Sequence, residues 1–378
     1  MPQTEPRPPK LLAEAFGHWL DAQREAIEVV DSAPHPGHPA DWGEGYRWVT
    51  RIASLAQNWA LEKNDPLRPE IYLSQGPARK LIVDNPDVNY YFARLDENET
   101  YRLTGNRGSA LHVGLTVGTD FLRSASSREK ASGPTGTVGQ YNLDEFELAA
   151  NGDYEILLSR ARQPGNWIPL ATGAAQIAVR ETFGDRSREL PATYWIERVG
   201  DPAPAPELGP ERCAEQLHDA ADLLLFIVRT CAAMWRGNAG HLNQIGGAAG
   251  QQHVDAQDDA VRTHSATDMV YQGGRWKLAP GQALKVTISP PAGGSLYWGL
   301  TLVNPWAESY EYRYSQVCTN QALARPDADG SWTVVISAQD PGLSNWLDTG
   351  GRLEGFALIR WVWARSLPAN PVCELIDL

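Results

Sequence analysis

Lysine is scarce in this chain: six Lys stand beside 27 Arg in 378 residues, and Asp and Glu outnumber the two together by 46 to 33. A formal net charge of −13 argues against a nucleic-acid binder, because neutralising phosphates takes clustered Lys and Arg. The excess of Arg over Lys reads as coding bias. Long apolar runs are absent too. The best candidate, Ala220 to Trp235, is interrupted by Asp222, Arg229 and Thr230, so it reads as a buried helix and no membrane span is expected. The four cysteines, Cys213, Cys231, Cys318 and Cys373, form no C-x-x-C pair, which points to reduced structural thiols rather than a disulfide framework or zinc site. The proline-rich, polar start Met1 to Lys10 shows no secretory signal, so a cytoplasmic location is expected. There is no G-x-S-x-G elbow, no H-E-x-x-H, and no Rossmann or Walker glycine pattern. Nothing calls for a cofactor.

What the chain does have is a long motif in two copies. Gly152-Asp153-Tyr154-Glu155-Ile156-Leu157-Leu158-Ser159 returns as Gly330-Ser331-Trp332-Thr333-Val334-Val335-Ile336-Ser337. Asn166-Trp167 follows the first copy and Asn345-Trp346 the second, and each then leads to an apolar strand carrying one arginine, Arg180 or Arg360. Upstream, Leu111 to Val117 aligns with Leu296 to Leu302. Two copies at so long a period indicate a duplicated module rather than a solenoid.

Helical periodicity runs from Leu11 to Val30, with Leu12, Phe16, Leu20, Ala26 and Val30 on one broad face. Tyr46 to Leu61 reads as a second helix, Pro66 to Leu81 as a weaker helical or extended segment, and Glu211 to Trp235 as the longest helix. Short β-rich runs separated by Gly, Pro and Asn begin after Tyr90 and return after Val270, which is the grammar of antiparallel sheet. The expected fold is α+β: two duplicated antiparallel β-sandwich-like modules with N-terminal and central helices. The divisions are 1–84 (helical), 85–200 (first β repeat), 201–265 (linker, long helix and Gly-rich loop) and 266–378 (second β repeat).

The Gly-rich stretch Gly237 to Gln252 lacks the Gly-Lys-Ser/Thr ending of a phosphate loop and reads as a loop between helix and sheet. His253, Asp255 and His264 have spacing that could suit a metal, but they sit in a polar, solvated-looking segment, so no metal is assigned. His35 and His38 in Pro-His-Pro-Gly-His-Pro also read as loop.

Residues kept in both copies are structural by default: Asn capping a turn, Trp plugging the sandwich, Arg pairing with a carboxylate or the backbone. Read functionally, Asn345, Trp346 and Arg180 become ligand contacts. Only the second copy carries Asp340 and Asp348 around its Asn-Trp pair; the first has Arg162 and Pro169 nearby. These two carboxylates are candidate acid/base groups, although Asp340 before Pro341-Gly342 also fits a turn. Asn304 and Trp306 precede Tyr310, Tyr312 and Tyr314, which strand alternation would place on one face, with Asn320 beyond. Such a row suits an aromatic wall facing a ligand, or a sandwich core.

Asp340 to Gly351 with Gly355, Arg360 and Trp361 resembles the C-terminal signature of the domain of unknown function 1214 family. Asn85-Pro86-Asp87 with Tyr90, Tyr101 to Gly105, and Gly165 to Leu170 resemble the front half of its long bacterial form, so the likeness runs from about Asn85 to Trp363. It implies a β-rich fold with helical additions, a bacterial source and a setting among catabolic genes for steroids, terpenoids or aromatic compounds. It implies no catalytic residue.

Two functional classes follow. One is a cofactor-independent enzyme of catabolism or secondary metabolism, of lyase, isomerase or hydrolase type, acting on a hydrophobic oxygenated or glycosylated small molecule. Asp340 or Asp348 would serve as acid/base, Arg360 and Asn345 would polarise an oxygen, and Tyr312 would donate a hydrogen bond. The other is a non-catalytic carrier of apolar small molecules or carbohydrates. The acidic charge and a free sheet edge leave room for a homo-oligomer.

Overall fold

The computed structural model describes residues 9–125, 136–201, 204, 207–237, 242–246, 251–252 and 269–378. The Gly-rich loop lies largely outside them, and His253, Asp255 and His264 wholly so.

Four helices are described: α1 (Lys10–Ser32), α2 (Pro39–Gln57), the short α3 (Phe121–Ala125) and α4 (Pro210–Gly237). Pro39 begins α2, where a missing N–H costs nothing, and His38 caps it by accepting a hydrogen bond at Nδ1 from the Ala40 N–H at 3.2 Å. One π-helical segment, Asn58–Glu62, extends α2. The buried stripe of α1 is Ala15, Trp19, Ala22, Ala26 and Val30, whereas Phe16 and Leu20, expected on that face, are exposed. Small residues win because α1 packs along α4, whose own contact face includes Ala214, Ala220 and Ala221.

Among the described residues there are eighteen strands, nine to a module. The first module contains β1 (Tyr72–Gln75), β2 (Val88–Arg94), β3 (Tyr101–Asn106), β4 (His112–Gly118), β5 (Thr137–Asn142), β6 (Asp153–Ser159), β7 (Trp167–Pro169), β8 (Gln176–Thr182) and β9 (Trp195–Arg198). The second contains β10 (Gln251–Gln252), β11 (Met269–Lys277), β12 (Gln282–Ile288), β13 (Tyr297–Val303), β14 (Cys318–Asn320), β15 (Trp332–Ser337), β16 (Trp346–Asp348), β17 (Glu354–Val362) and β18 (Val372–Asp377). The first module's sheets run β1-β2-β8-β4-β5 and β7-β6-β3-β9; the second's run β10-β11-β17-β13-β14 and β16-β15-β12-β18. Advancing every strand of the first pair by nine reproduces the second. Even the exception repeats: β6 with β7 and β15 with β16 pair in parallel, and the other ladders are antiparallel.

Alternation along the strands decides what each face meets. In the first module Val113, Leu115 and Val117 of β4 turn inward with Ile177 and Val179 of β8, against Leu103, Ile156 and Leu158. In the second, Trp298, Leu300, Ile359 and Trp361 do the same against Leu284, Val286, Val334 and Ile336. The opposite faces of the two five-stranded sheets supply Phe92, Val303 and Leu358 to the core formed with the helices. Those faces also hold equivalent residues in register: Tyr90, Arg180 and Gly114 lie side by side across β2, β8 and β4, as do Tyr271, Arg360 and Gly299 across β11, β17 and β13.

All four cysteines are free thiols. Among the described residues no helix is long and apolar enough to cross a membrane.

Candidate functional site

The residues singled out from sequence separate into two groups. Asn345 accepts the Arg325 N–H at 2.7 Å and donates to the carbonyls of Arg325 and Thr333 at 2.8 and 3.0 Å. Asn166 does the same with Glu147 and Glu155. Trp346 and Trp167 both donate from Nε1 to the serine that ends the preceding strand, Ser337 or Ser159, at 3.2 Å. The Asn-Trp pair is therefore a loop clamp present in each module, and the polar atoms of Asn345 and Trp346 are engaged within their own module. Asp340 accepts the Gly342 N–H at 2.8 Å and Asp348 the Gly350 N–H at 2.7 Å, each closing a turn two residues long. The structure does not bring either to Arg360. Nor do the tyrosines form a row, because residues 311–315 turn instead of extending: Tyr310 is buried, Tyr312 half-buried and Tyr314 81% exposed.

Asn304 and Trp306 pin α2 to the second module. Asn304 donates to Glu44 at 2.9 Å, Trp306 donates to the Asp41 carbonyl at 2.7 Å, and Arg352 binds both acids.

Asn320 and Arg360 lie elsewhere, in a polar seam where the segment 80–90 crosses the second module. Asn320 Nδ2 donates to Asp87 at 3.0 Å, the Tyr297 hydroxyl donates to the same carboxylate oxygen at 2.8 Å, and Asn85 donates to Tyr297 at 3.1 Å. Three residues earlier than Asp87, Asp84 accepts the Ser309 hydroxyl at 2.7 Å and its N–H at 2.8 Å. Lys80 donates to the carbonyls of Ser309 and Tyr310 at 2.6 and 2.9 Å, with its ammonium 4.8 Å from the centre of the Tyr312 ring. Arg51 of α2 pairs with the buried Glu308 at 2.8 Å. The sequence pointed to Asn320, Arg360 and Tyr312 but not to Asp84, Asp87, Tyr90 or Tyr297 as site residues; the one signal was polar Asn85-Pro86-Asp87 standing before an apolar strand.

The second module carries the C-terminal part of the sequence likeness, and a family model matches there: Protein of unknown function (DUF1214), at residues 273–364. Residues 273–364 form a DUF1214 domain. A search of curated proteins found no match. Among solved structures, an uncharacterized protein from Burkholderia cenocepacia is similar over 97% of this chain and 98% of its own, with 29% identity and a TM-score of 0.86. A Vibrio parahaemolyticus protein is similar over 88% of this chain and 98% of its own, with 12% identity and a TM-score of 0.49. Tyr297, Asn320 and Arg360 fall inside the DUF1214 domain, and Asn85, Asp87 and Tyr90 reach it from outside.

The backbone where they meet is unusual. Ile82 and Val83 are both in the left-handed region, at φ of 39° and 57°, although β-branched side chains disfavour it strongly. This turn is held from the DUF1214 side: the Val83 N–H donates to the Ala307 carbonyl at 2.7 Å, and Arg360 Nη2 donates to the Val83 carbonyl. Tyr90 accepts the Asn85 N–H at 3.2 Å, so its hydroxyl and the Arg360 guanidinium meet the same turn two residues apart. Arg360 is 4% exposed, and its Nη1 is buried with no hydrogen-bond partner. The positive charges of Arg360 and its duplicate Arg180 both act on the Tyr90 hydroxyl.

Burial dominates the protonation of this seam. It raises the Asp87 carboxyl above its ordinary value, against the hydrogen bonds from Asn320 and Tyr297 that pull it down. It raises Tyr90 and Tyr297 and lowers Lys80. Glu308 is pushed up to about 7, because loss of hydration outweighs Arg51.

The DUF1214 domain also borders an open cleft of about 510 Å³, lined by the turn 34–36, Trp235 at the end of α4, and Arg275, Lys277 and Glu354. None of the residues chosen from sequence lies in it.

Proposed function

We propose that the seam receives an oxygen of a small apolar molecule and moves a proton at it, making the protein a cofactor-independent acid/base enzyme of isomerase or lyase type. Arg360 Nη1 and the Tyr90 hydroxyl donate to the carbonyl or carboxyl oxygen, stabilising the charge that develops there. Asp87, biased by burial toward its neutral form, gives or takes the proton while Tyr297 and Asn320 hold its other contacts fixed. Asp87 takes this role in place of Asp340 and Asp348, whose carboxylates each accept the backbone N–H two residues ahead.

The observation that carries the reading is the buried, unpartnered Nη1 of Arg360 beside a strained turn. A guanidinium nitrogen left unsatisfied in the interior is costly, by about 1–3 kcal/mol or more for a charged group, and an incoming oxygen removes that cost. Strain stored at the same turn is a further mark of a working site.

The test is a thermal-shift screen against apolar ketones and carboxylic acids of steroid, terpenoid and aromatic type, with product analysis by mass spectrometry. A ligand that stabilises the wild type and Asp87→Asn but not Arg360→Met, and is converted only by the wild type, supports the reading. Stabilisation that ignores Arg360, or conversion by Asp87→Asn at the wild-type rate, overturns it.

A further inference from the structure

The open cleft beside Trp235 is chemically separate from the seam. Among the described residues that line it Glu354 is the one carboxylate, and both oxygens are taken: Arg275 binds Oε1 and Lys277 approaches Oε2 at 3.4 Å. Two cations facing one carboxylate leave a positive excess. Arg275 further stacks over the Trp235 ring at 4.5 Å, and its Nε is buried without a hydrogen-bond partner. The Lys277 side chain is 61% exposed, and its ammonium has donors beyond the one that meets Glu354. His35 accepts the Gly37 N–H at Nδ1, at 3.1 Å, which puts the proton of the neutral ring on Nε2. Among the described lining residues the free polar groups are thus donors. Between them lie the apolar surfaces of Pro34 and Pro36, with Trp235 largely buried beneath Arg275, in an open cleft of about 510 Å³.

We propose that this cleft is a second binding site, for a small monoanion with a flat apolar body, its carboxylate on Lys277 and its ring against Pro34 and Pro36. An uncharged analogue would lose the ion contact, and a dianion would meet Glu354.

The test is isothermal titration of the full chain with 2-naphthoate and with uncharged 2-naphthylmethanol. The wild type is expected to prefer 2-naphthoate, and Lys277→Glu, an exposed substitution that leaves the core untouched, to weaken it at least tenfold without changing 2-naphthylmethanol. His35→Ala is expected to weaken 2-naphthoate by a smaller factor. Equal affinity in wild type and Lys277→Glu, or no heat with millimolar 2-naphthoate, overturns the proposal. Arg360→Met separates the two sites: it is expected to leave this affinity intact, and loss there with no loss in Lys277→Glu would place 2-naphthoate at the seam and refute the cleft.

Discussion

Tyr297 folds back over Gly299 in its own strand, and its hydroxyl occupies the volume that a β-carbon at 299 would need. From there it donates to Asp87. Gly299→Ala must therefore drive the buried ring off the carboxylate, and it is expected to cost about 1–3 kcal/mol by overpacking. The duplicate, Gly114→Ala, meets His112 Cε1 at 3.0 Å and is expected to cost less. Urea unfolding of both variants checks the order; equal costs would contradict it.

Asn345→Ala and Asn166→Ala each remove a clamp of three hydrogen bonds to backbone. Each is expected to destabilise the protein by about 2 kcal/mol. Because the clamps lie in different modules, the double variant should show nearly the sum of the two losses. Ligand-induced thermal shifts should persist in both single variants.

Asp340→Asn and Asp348→Asn keep an acceptor oxygen for the N–H that each side chain binds two residues ahead. Stability is expected to change by no more than about 0.5 kcal/mol, as for ordinary surface substitutions, and any substrate is expected to be converted at the wild-type rate. A loss of activity with stability unchanged would return the acid/base role to these carboxylates.

Glu308 carries a pH signature. Its carboxyl is raised from 4.5 to about 7 in the fold, so the unfolded chain ionises first. Its contribution to stability is full below about 4.5 and is lost as pH rises through about 7. Relative to wild type, Glu308→Gln is accordingly expected to gain stability from pH 4.5 to 7.5, despite removing the anionic partner of Arg51. Melting temperatures of the two proteins across that range decide it, and a difference that stays flat would show that Glu308 is ionised throughout.

The duplication, the strands and the long α4 were legible because each leaves a local, periodic trace. Gln176 to Phe183 reads as a strand from its own residues, and β8 follows it at Gln176–Thr182. The face of α1 was harder. Phe16 and Leu20 are more apolar than Ala15 and Ala22, yet the close approach of α4 favours the small residues, and that is a property of the partner helix. Tyr310 to Tyr314 alternates like a strand, but the Tyr314 N–H closes a turn onto the Glu311 carbonyl. Asn345 was open to both a ligand role and a structural one, and the clamp it shares with its twin Asn166 is the structural one. Asp87 could not be read as a site residue, since its partners Tyr297 and Asn320 come from the other module and meet it only after the chain has folded.

The central claim is that Arg360 Nη1 awaits a ligand oxygen. A crystal structure of the protein soaked with whichever apolar ketone or carboxylic acid most raises its melting temperature tests this directly. The predicted result is a ligand oxygen at about 3 Å from Arg360 Nη1, within reach of the Tyr90 hydroxyl. A ligand bound elsewhere, with Nη1 satisfied by an ordered water that the ligand does not displace, would contradict it.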